Sequence, residues 1–420
     1  MPLNYEDKAL HYHSEPVPGK ISINITKRCE TADDLSMAYT PGVAGPCRAI
    51  ERNPLDSGIY TVRDNLVGVI TNGTAVLGLG NIGPLASKPV MEGKSVLFKK
   101  FAGIDVFDLE IDEPDPDRFI SIVRALEPTF GGINLEDIRA PECFYIEEQL
   151  KEKMDIPVFH DDQHGTAVIA TAGLINALEI TGKDPCHMKM IVSGAGAGAL
   201  SCIDMFIKQG IREQNIFVFD SKGMLSGERE DINDYKRKYA LHERSHALPG
   251  IIQNADIFLG LSVKGVLKPD MLKSMNRDPI VFALANPDPE IDYQTALQVR
   301  EDVIMATGRS DYPNQINNVL GFPFIFRGAL DCGAISITQS MKLAAAESLA
   351  SIARENTPEA VKDIYGSNLQ FGRDYLIPKP FDRRVFVEES TAVLEAAIND
   401  KVNRKQVDPD KYRKKLEEMI

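Results

Sequence analysis

The sequence predicts an α/β protein with a Rossmann-type, doubly wound parallel sheet, an α/β domain before it and helices after it. Three observations predict this fold. From about residue 189 onward, short apolar segments alternate with helical patterns, as in parallel sheets whose strands are joined by helices. A glycine-rich segment, Gly194–Ala199, leaves the first of these apolar segments and leads into a helical pattern. The tail from Ile337 onward is rich in Ala, Glu and Leu, which favours helices.

Composition limits the class of protein. The chain has 420 residues, enough for two or three domains, and its 43% apolar and 26% charged content is ordinary for a globular protein. The net charge of −14 disfavours nucleic acid or an anionic membrane as the main partner, because both require a basic surface. The six scattered cysteines fit reduced thiols. No signal peptide is visible, and no apolar run reaches the length of about 18 residues that suggests a membrane span. We therefore expect a cytoplasmic protein.

Residues 1–165 are predicted to form the first domain. About 25 polar, proline-containing residues at the start indicate an extended arm, and a helical pattern runs from about Asp33 to Tyr39. Asn72-Gly73 between two apolar segments is a strong hairpin signal. The other elements predicted here are hairpin strands at 67–70 and 75–79, a helix after Pro89 that carries Lys94, a strand at 105–111 and a helix at 117–126.

Residues 166–333 are predicted to form a nucleotide-binding domain, and residues 334–420 a helical region that packs back on the domains or on a partner subunit. The predicted strands lie at 189–192, 215–219, 257–261, 280–284 and 303–306. The predicted helices between them lie at 199–208, 234–243 and 269–275. This strand–helix alternation favours a parallel sheet.

The glycine-rich segment carries the pattern G-x-G-x-x-A. Its predicted cofactor-binding residues are Gly194, Gly196, Ala197, Gly198 and Ala199. Glycines let the backbone turn tightly beside a pyrophosphate, and the N-terminus of a helix offers free N–H groups to phosphate. Asp220 ends the next predicted strand, where a carboxylate accepts hydrogen bonds from the ribose hydroxyls. A small-residue turn that only packs helix on strand is the alternative, but the order of all these elements favours a dinucleotide site.

The choice between NAD and NADP depends on the residues around Asp220. The negative charge of Asp220 would repel a 2′-phosphate, which favours NAD. Lys222 and Arg229 lie just beyond it and would neutralise such a phosphate. The sequence therefore predicts NAD, with NADP as the alternative.

Two acidic pairs follow apolar segments, Glu136-Asp137 after 133–135 and Asp161-Asp162 after 158–160. Each reads as a strand followed by a loop, which places both pairs at the carboxyl ends of strands, where sites form in open α/β folds. Four converging carboxylates repel one another unless a cation neutralises them, and hard oxygen ligands suit Mg2+ or Mn2+. One such pair alone would be read as a solvated loop end. Two pairs beside a nucleotide domain favour a metal site.

Longer segments make the chain resemble the malic enzyme family in its short bacterial form. The resembling segments, in order, are 38–44, 77–83, 91–94, 132–138, 160–167, 193–198, 218–223, 282–287 and 315–319. The resemblance implies oxidative decarboxylation of malate to pyruvate and CO2, with reduction of NAD(P) and dependence on a divalent metal. It also implies a homodimer. Our hypothesis is that the polar N-terminal arm and the C-terminal helices exchange between subunits, so that Tyr39 serves the neighbour's site.

The resemblance also implies roles for individual residues. The implied catalytic residues are the general acid Tyr39, the general base Lys94 and a supporting Asp161. The implied metal ligands are Glu136, Asp137 and Asp162. The implied contacts of substrate and cofactor are Asn286, Asn317 and Asn318. A lysine that accepts a proton must be neutral part of the time, so we expect burial and the nearby cation to lower the pKa of Lys94.

One departure from the family and two other functions stay open. Longer eukaryotic members carry an arginine just before Leu-Gly-Leu-Gly that pairs with a substrate carboxylate, whereas this chain has Thr74-Ala-Val there, so the partner of the distal carboxylate is unassigned. A malate or 2-hydroxyacid dehydrogenase without decarboxylation is the alternative within enzymes, and a catalytically silent nucleotide-binding protein is the alternative outside them. His160 and His164 flank the second acid pair and are expected to support the site or to pack rather than to bind metal.

Overall fold

The structure, a computed structural model, describes residues 4–419. Its helices are α1 (Tyr5–Ser14), α2 (Ala32–Ala38), α3 (Ala44–Arg52), α4 (Ser57–Tyr60), α5 (Pro84–Ala102), α6 (Pro116–Ala125), α7 (Glu142–Lys153), α8 (Asp161–Thr181), α9 (Ala197–Lys208), α10 (Asp234–Arg237), α11 (Leu248–Ile251), α12 (Pro269–Ser274), α13 (Tyr293–Val299), α14 (Phe322–Asp331), α15 (Gln339–Arg354), α16 (Glu359–Tyr365), α17 (Arg383–Asn399) and α18 (Pro409–Glu417). Its strands are β1 (Leu66–Thr71), β2 (Asp105–Glu110), β3 (Gly132–Leu135), β4 (Val158–His160), β5 (Met190–Ser193), β6 (Ile216–Asp220), β7 (Gly223–Met224), β8 (Ile257–Gly260), β9 (Ile280–Ala283) and β10 (Ile304–Thr307).

The N-terminal half is built on a parallel sheet of four strands in the order β2-β1-β3-β4. Val67 of β1 lies opposite Val106 of β2 and Gly132 of β3, and Ile133 of β3 lies opposite Val158 of β4. Every residue of β1 is buried, as expected for a parallel strand covered on both faces. The carboxyl ends of all four strands therefore meet at one edge of the sheet.

The second sheet has six strands in the order β10-β9-β8-β5-β6-β7, all parallel except β7, which runs antiparallel to β6. Met190 of β5 lies between Ile216 of β6 and Ile257 of β8, so the strand order reverses at β5. This is the doubly wound arrangement, and it confirms the predicted fold class. In such sheets ligands bind beyond the carboxyl ends of the strands at the point of reversal.

One hydrophobic core joins the two sheets and the C-terminal helices. The helix α8 connects the sheets and buries many small residues, including Ala167 and Ala170, which lets neighbouring helices approach closely. Phe98 of α5 contacts Phe322 and Phe326 of α14 edge to face, with ring centroids 4.7 and 5.3 Å apart. The helical tail predicted from Ile337 onward is confirmed as α15 to α18. No helix among residues 4–419 is long and apolar enough to cross a membrane.

The predicted hairpin around Asn72-Gly73 is wrong. Gly73 does turn the chain, with φ of +67°, but the following segment contains a short 3-10 helix, Leu77–Leu79, instead of a strand. The reason is the neighbourhood of β1, because β2 occupies one of its edges and β3 the other. No edge of β1 is left for a hairpin partner.

Other predicted boundaries also change. The first part of the expected extended arm is the helix α1, whose N-terminus is capped by the side chain of Asn4. The helix expected after Pro89 begins at Pro84, and the helix expected at 234–243 ends at Arg237. The domain boundary near residue 165 falls inside α8 and stays a prediction, as does the boundary near 333.

Candidate active site

Lys94 lies on α5 at the carboxyl edge of the first sheet. Its Nζ is 2.9 Å from Oε1 of Glu136 and 2.6 Å from Oδ2 of Asp161, and it lies 4.3 Å above the ring centre of Phe322. Only 10% of the side chain is exposed. The predicted general base is therefore held by one carboxylate from each predicted acidic pair and shielded from water by an aromatic ring.

The two acidic pairs come together as predicted. Glu136 and Asp137 directly follow β3, and Asp161 and Asp162 directly follow β4, the neighbouring parallel strand. The second pair differs from the prediction in one respect, since it forms the first turn of α8 instead of a loop. The positive end of the helix dipole favours carboxylates at that position.

Hydrogen bonds fix the orientation of these carboxylates. The backbone N–H of Asp137 donates to Oδ2 of Asp162 at 2.8 Å, and Nδ2 of Asn134 donates to Oε2 of Glu136 at 2.8 Å. Oδ2 of Asp161 accepts from both Lys94 and Nδ2 of Asn318, the latter at 3.0 Å. The acids are thus held by donors from three separate parts of the chain, namely residues 134–137, Lys94 and Asn318.

The charges of the cluster perturb one another. Burial raises the pKa of Glu136 well above its ordinary value, Lys94 opposes the shift, and the carboxylates of Asp162, Asp161 and Asp137 add to it. The expectation of a lowered pKa for Lys94 included a bound cation and stays a prediction; the carboxylates alone act in the opposite direction. Burial does act to lower the pKa, but the carboxylates of Asp161 and Glu136 outweigh it and raise the pKa above the ordinary value.

The residues present fit a divalent cation. Carboxylate oxygens of Glu136, Asp137 and Asp162 all lie within 4.8 Å of one another. Two oxygens on opposite sides of an ion, each at about 2.1 Å, are about 4.2 Å apart, so small rotations would bring all three into contact with one ion. Among residues 4–419, Oδ1 of Asp161 is buried without a hydrogen-bond partner, and burial and the neighbouring carboxylates raise the pKa of Glu136 although Lys94 opposes the shift.

Three residues that sequence reasoning did not assign contribute to the site. Asn134 holds Glu136 from within β3, and Thr166 donates to Oδ1 of Asn318 at 2.9 Å. Gly165 leaves room for the acid cluster, because a Cβ there would lie 2.1 Å from Oδ1 of Asp161 and would displace that carboxylate. Gly165 and Thr166 stand in the segment that resembles the family, so their position was the available signal. Nothing local marks Asn134.

The dinucleotide loop has the predicted geometry. Gly194 adopts φ of +110°, and a Cβ at this position would lie 2.2 Å from the carbonyl oxygen of Leu261, so only glycine fits. Gly196 is the N-cap of α9, which leaves the N–H groups of the first turn directed outward. A Cβ on Gly198 would lie 3.0 Å from the carbonyl oxygen of Asp162. The start of the cofactor helix therefore adjoins the acid cluster.

Asp220 ends β6 as predicted, and it is surrounded by cations. It accepts hydrogen bonds from Nη1 of Arg229 at 2.8 Å and from Nζ of Lys236 at 3.0 Å. Burial acts to raise its pKa, but these donors and the N–H of Lys222 lower the pKa to about 2. Asp220 is therefore ionised at neutral pH. Lys236 was not identified from the sequence.

The remaining predicted residues are placed less closely. Tyr39 follows α2, is 71% exposed, and its hydroxyl forms no hydrogen bond within residues 4–419. Asn318 contacts Asp161, whereas Asn317 uses its side chain to cap the short helix that begins at Asn318. Asn286 follows β9 and faces Gly308, where a Cβ would lie 3.0 Å from its amide.

Comparison with known proteins bears on the whole chain. Residues 18–151 match the family model described as malic enzyme, N-terminal domain, and residues 163–367 match the model described as malic enzyme, NAD binding domain. The NADP-dependent malic enzyme of Escherichia coli is 55% identical over 99% of this chain, and the NAD-dependent malic enzyme of Rhizobium meliloti is 53% identical over 99%. The chain spans about 55% and 54% of the lengths of these two relatives.

A solved structure covers both chains almost completely. The crystal structure of malic enzyme from Pyrococcus horikoshii superposes with a TM-score of 0.90 at 42% identity, over 99% of this chain and 95% of that one. Family models, sequence identity and fold agree with the acid cluster and the dinucleotide loop described above. The chain belongs to the malic enzyme family.

Proposed function

We propose that this protein oxidises malate to pyruvate and CO2, with reduction of a nicotinamide cofactor and with Mg2+ or Mn2+ bound by Glu136, Asp137 and Asp162. One observation carries the proposal. The start of the cofactor helix at Gly198 adjoins Asp162, so that a dinucleotide and a carboxylate-bound cation would lie next to each other, close to Lys94. A dehydrogenase that stops at the keto acid has no need of such an acid cluster.

Lys94 is suited to the first proton transfer. In its neutral amine form it would accept the proton of the C2 hydroxyl while the C2 hydride leaves, and Asp161 would hold the resulting ammonium group in place. When bound, the cation would polarise the C2 oxygen for loss of CO2 from C4, and the nicotinamide would accept the hydride. Positive charge near Glu136 would also oppose the carboxylates that raise the pKa of Lys94.

Tyr39 is proposed to protonate C3 of the resulting enol, from the neighbouring subunit of a homodimer. Its exposure supports this assignment, since the hydroxyl has no partner within the described chain. The surrounding surface supports the dimer. No residue from 4 to 65 is buried, and this segment carries more than half of the exposed large apolar side chains among residues 4–419. Such a surface is typical of a protein interface.

We further propose NAD as the preferred cofactor. An ionised carboxylate at Asp220 accepts hydrogen bonds from the two ribose hydroxyls of NAD and repels a 2′-phosphate. NADP is the second candidate, because Lys222, Arg229 and Lys236 surround that carboxylate. The relatives bear names of both kinds.

The cofactor proposal is tested by comparing kcat/KM for NAD and NADP in the wild type and in Asp220→Asn. We expect a higher value with NAD in the wild type and a shift toward NADP in the variant, because the repelling charge is removed. A matched control is Asp234→Asn, an acid on the nearby helix α10. A wild-type preference for NADP that Arg229→Ala abolishes would establish the second candidate instead.

The cell compartment is also a proposal. All six cysteines lie within residues 4–419, and none forms a disulfide. Unpaired thiols are typical of the reducing cytoplasm, and we propose that location.

The main proposal is tested by one assay on purified protein. Malate-dependent reduction of NAD and NADP is measured together with CO2 release, with Mn2+ and after treatment with a chelator. We expect equal amounts of reduced cofactor and CO2, lost with chelator and restored by Mn2+. Cofactor reduction without CO2 would identify a simple dehydrogenase, and no turnover with any cofactor would identify a nucleotide-binding protein without activity.

A further inference from the structure

We propose that Glu147, His164 and Lys342 form a buried hydrogen-bond chain that positions the first turn of α8, and with it Asp161 and Asp162, for the divalent cation. Glu147 lies on α7, behind the acid cluster, and is not part of it. This inference rests on the proposed function, because it assigns a role to residues that support the proposed metal site. We call the three residues the α8 clamp.

Glu147 holds both sides of the acid pair. Its Oε1 accepts from the backbone N–H of His160 at 3.0 Å and from Nε2 of His164 at 2.9 Å. His160 is the residue before Asp161, and His164 lies two residues after Asp162. A single carboxylate therefore fixes the end of β4 and the first turn of α8 together.

The Glu147 carboxylate also forms an ion pair with Lys151. Nζ of Lys151, one turn later on α7, is 2.7 Å from Oε1 of Glu147. Burial acts to raise the pKa of Glu147, but His164 and Lys151 lower it well below its ordinary value. The carboxylate therefore stays ionised and acts only as an acceptor of hydrogen bonds.

The donor and acceptor roles along the chain are determined by its two ends. Since Glu147 can only accept, Nε2 of His164 must carry the hydrogen, which leaves a lone pair on Nδ1. Nζ of Lys342 lies 3.3 Å from that Nδ1 and can only donate. Both nitrogens of His164 are thus used, and the ring has one orientation.

Lys342 extends the clamp to the C-terminal helices. Lys342 lies on α15 and is only 8% exposed. Burial lowers the pKa of its amino group to about 8, so that most Lys342 side chains are protonated at neutral pH. Burying a protonated lysine beside a neutral imidazole costs free energy, because no carboxylate among residues 4–419 is hydrogen-bonded to it. The contact joins α15 to α8 at the turn that carries the acid pair.

This arrangement predicts an effect on metal binding. Groups that hydrogen-bond directly to metal ligands fix their orientation, and loss of such a group lowers metal affinity by about 10–100-fold. The clamp acts one step further from the ligands, so we expect the lower end of this range, about tenfold. The clamp makes no contact with the predicted ligands themselves. Its members are positioning residues, so their substitution should lower the affinity for the ion, which can be measured without turnover.

The decisive experiment titrates Mn2+ into the metal-free protein without malate or dinucleotide and measures free Mn2+ by electron paramagnetic resonance. Oε2 of Glu147 lies 3.0 Å from Nε2 of His164, so the amide NH2 that replaces it in Glu147→Gln opposes the N–H of His164, and we expect Mn2+ affinity to fall about tenfold. The matched control is Glu148→Gln, an exposed neighbour on the same helix, which should bind Mn2+ as the wild type does. Unchanged Mn2+ affinity in folded Glu147→Gln would overturn the proposal.

A second variant covers the case in which Glu147→Gln does not fold. Lys342→Met removes the far end of the chain, keeps the buried volume, and should weaken Mn2+ binding in the same direction by a smaller factor. Wild-type affinity in Lys342→Met would then overturn the proposal. A third variant, Asp162→Asn, separates the clamp from the metal site: if it binds Mn2+ as tightly as the wild type, the proposed ligand set is wrong and the clamp proposal fails with it.

Discussion

The carboxylate cluster and the segment 4–65 are opposite kinds of structure. In the cluster, Lys94, Glu136 and Asp161 are buried and joined by contacts of 2.6–2.9 Å. In the N-terminal segment no residue is buried, and Tyr39 extends a free hydroxyl from a surface of apolar side chains. The proposed base Lys94 is therefore held in position by side chains of its own subunit. The hydroxyl of the proposed acid Tyr39 has no such contacts within residues 4–419.

The difference separates two ways of building a site. A lysine held by two carboxylates in a core needs no partner subunit to have its geometry. A tyrosine on an open apolar surface acquires a defined position only when another molecule covers that surface. We infer that the first proton transfer depends on the fold of one subunit and the second on dimer formation.

The largest effect is expected at the buried side of this comparison. Lys94→Ala removes the proposed base and leaves Glu136 and Asp161 without their cation, so malate oxidation should fall by about 10³-fold or more. The measurement is the rate of nicotinamide reduction with saturating Mn2+ and malate. Lys100→Ala is the matched control, an exposed lysine on the same helix, and should keep full activity. Residual activity within tenfold of the wild type, roughly 1.4 kcal/mol, would exclude Lys94 as the base.

The next effect tests the exposed side. Tyr39→Phe should slow pyruvate formation about 10²-fold, because a positioned acid is lost. Reduction of oxaloacetate, the keto acid formed when malate loses its hydride, should remain measurable, because it does not involve protonation of C3. Tyr60→Phe, an exposed tyrosine of the same segment, is the control. If pyruvate forms at the wild-type rate in Tyr39→Phe, the tyrosine is not the acid.

Mixing the two inactive variants sharpens the comparison further. When Lys94→Ala and Tyr39→Phe subunits exchange at random, half of the dimers are mixed, and a site shared between subunits is then intact once in each mixed dimer. Activity should return to about a quarter of the wild-type value. If Tyr39 served its own subunit, every mixed dimer would have two damaged sites, and no activity would return.

Sequence reasoning succeeded where local pattern determines position. The two acid pairs were predicted to meet because each follows an apolar strand, and parallel strands end at the same edge. The glycines of 194–198 and Asp220 were predicted for a similar reason, since each has a fixed place relative to β5 or β6. Such positions depend on a few residues of local sequence.

It failed where position depends on distant parts of the chain. Asn72-Gly73 is a local hairpin signal, but β1 already has a neighbour on each edge. The pKa of Lys94 without a cation depends on carboxylates from two other elements, so the direction of its shift could not be predicted from the local sequence. Glu147 has an ordinary helical context, and only its contact with His164 reveals a role.

A smaller effect is expected for the apolar surface around Tyr39. Leu35 is 58% exposed on α2, and Leu35→Ser should weaken dimer formation by about tenfold while the monomer keeps its unfolding temperature. Sedimentation at several concentrations measures the dimer dissociation constant. Ile364→Ser, an equally exposed apolar residue on α16, is the control. Equal dissociation constants for the two variants would show that Leu35 does not contribute to the interface.

The smallest effect on activity is expected at another buried carboxylate, which contrasts with the cluster. Glu389 of α17 is buried, like Glu136, but within residues 4–419 neither of its oxygens has a hydrogen-bond partner and no cationic side chain pairs with it. Burial alone raises its pKa well above the ordinary value. The folded protein therefore binds this proton more tightly than the unfolded chain does. The stability that the proton contributes is complete below the unfolded pKa of about 4.3 and decreases as pH rises toward the folded pKa.

Glu389→Gln replaces the neutral acid by a neutral amide of the same size. We expect the variant to lose this decrease, which amounts to about 1.4 kcal/mol per pH unit for one proton, and to keep wild-type kcat. Urea unfolding from pH 5 to pH 8 measures the difference, with Glu395→Gln, exposed on the same helix, as control. If wild type and Glu389→Gln change stability in parallel over this range, Glu389 is ionised in the folded state, and its carboxylate must have a partner that compensates its charge as Lys94 compensates Glu136.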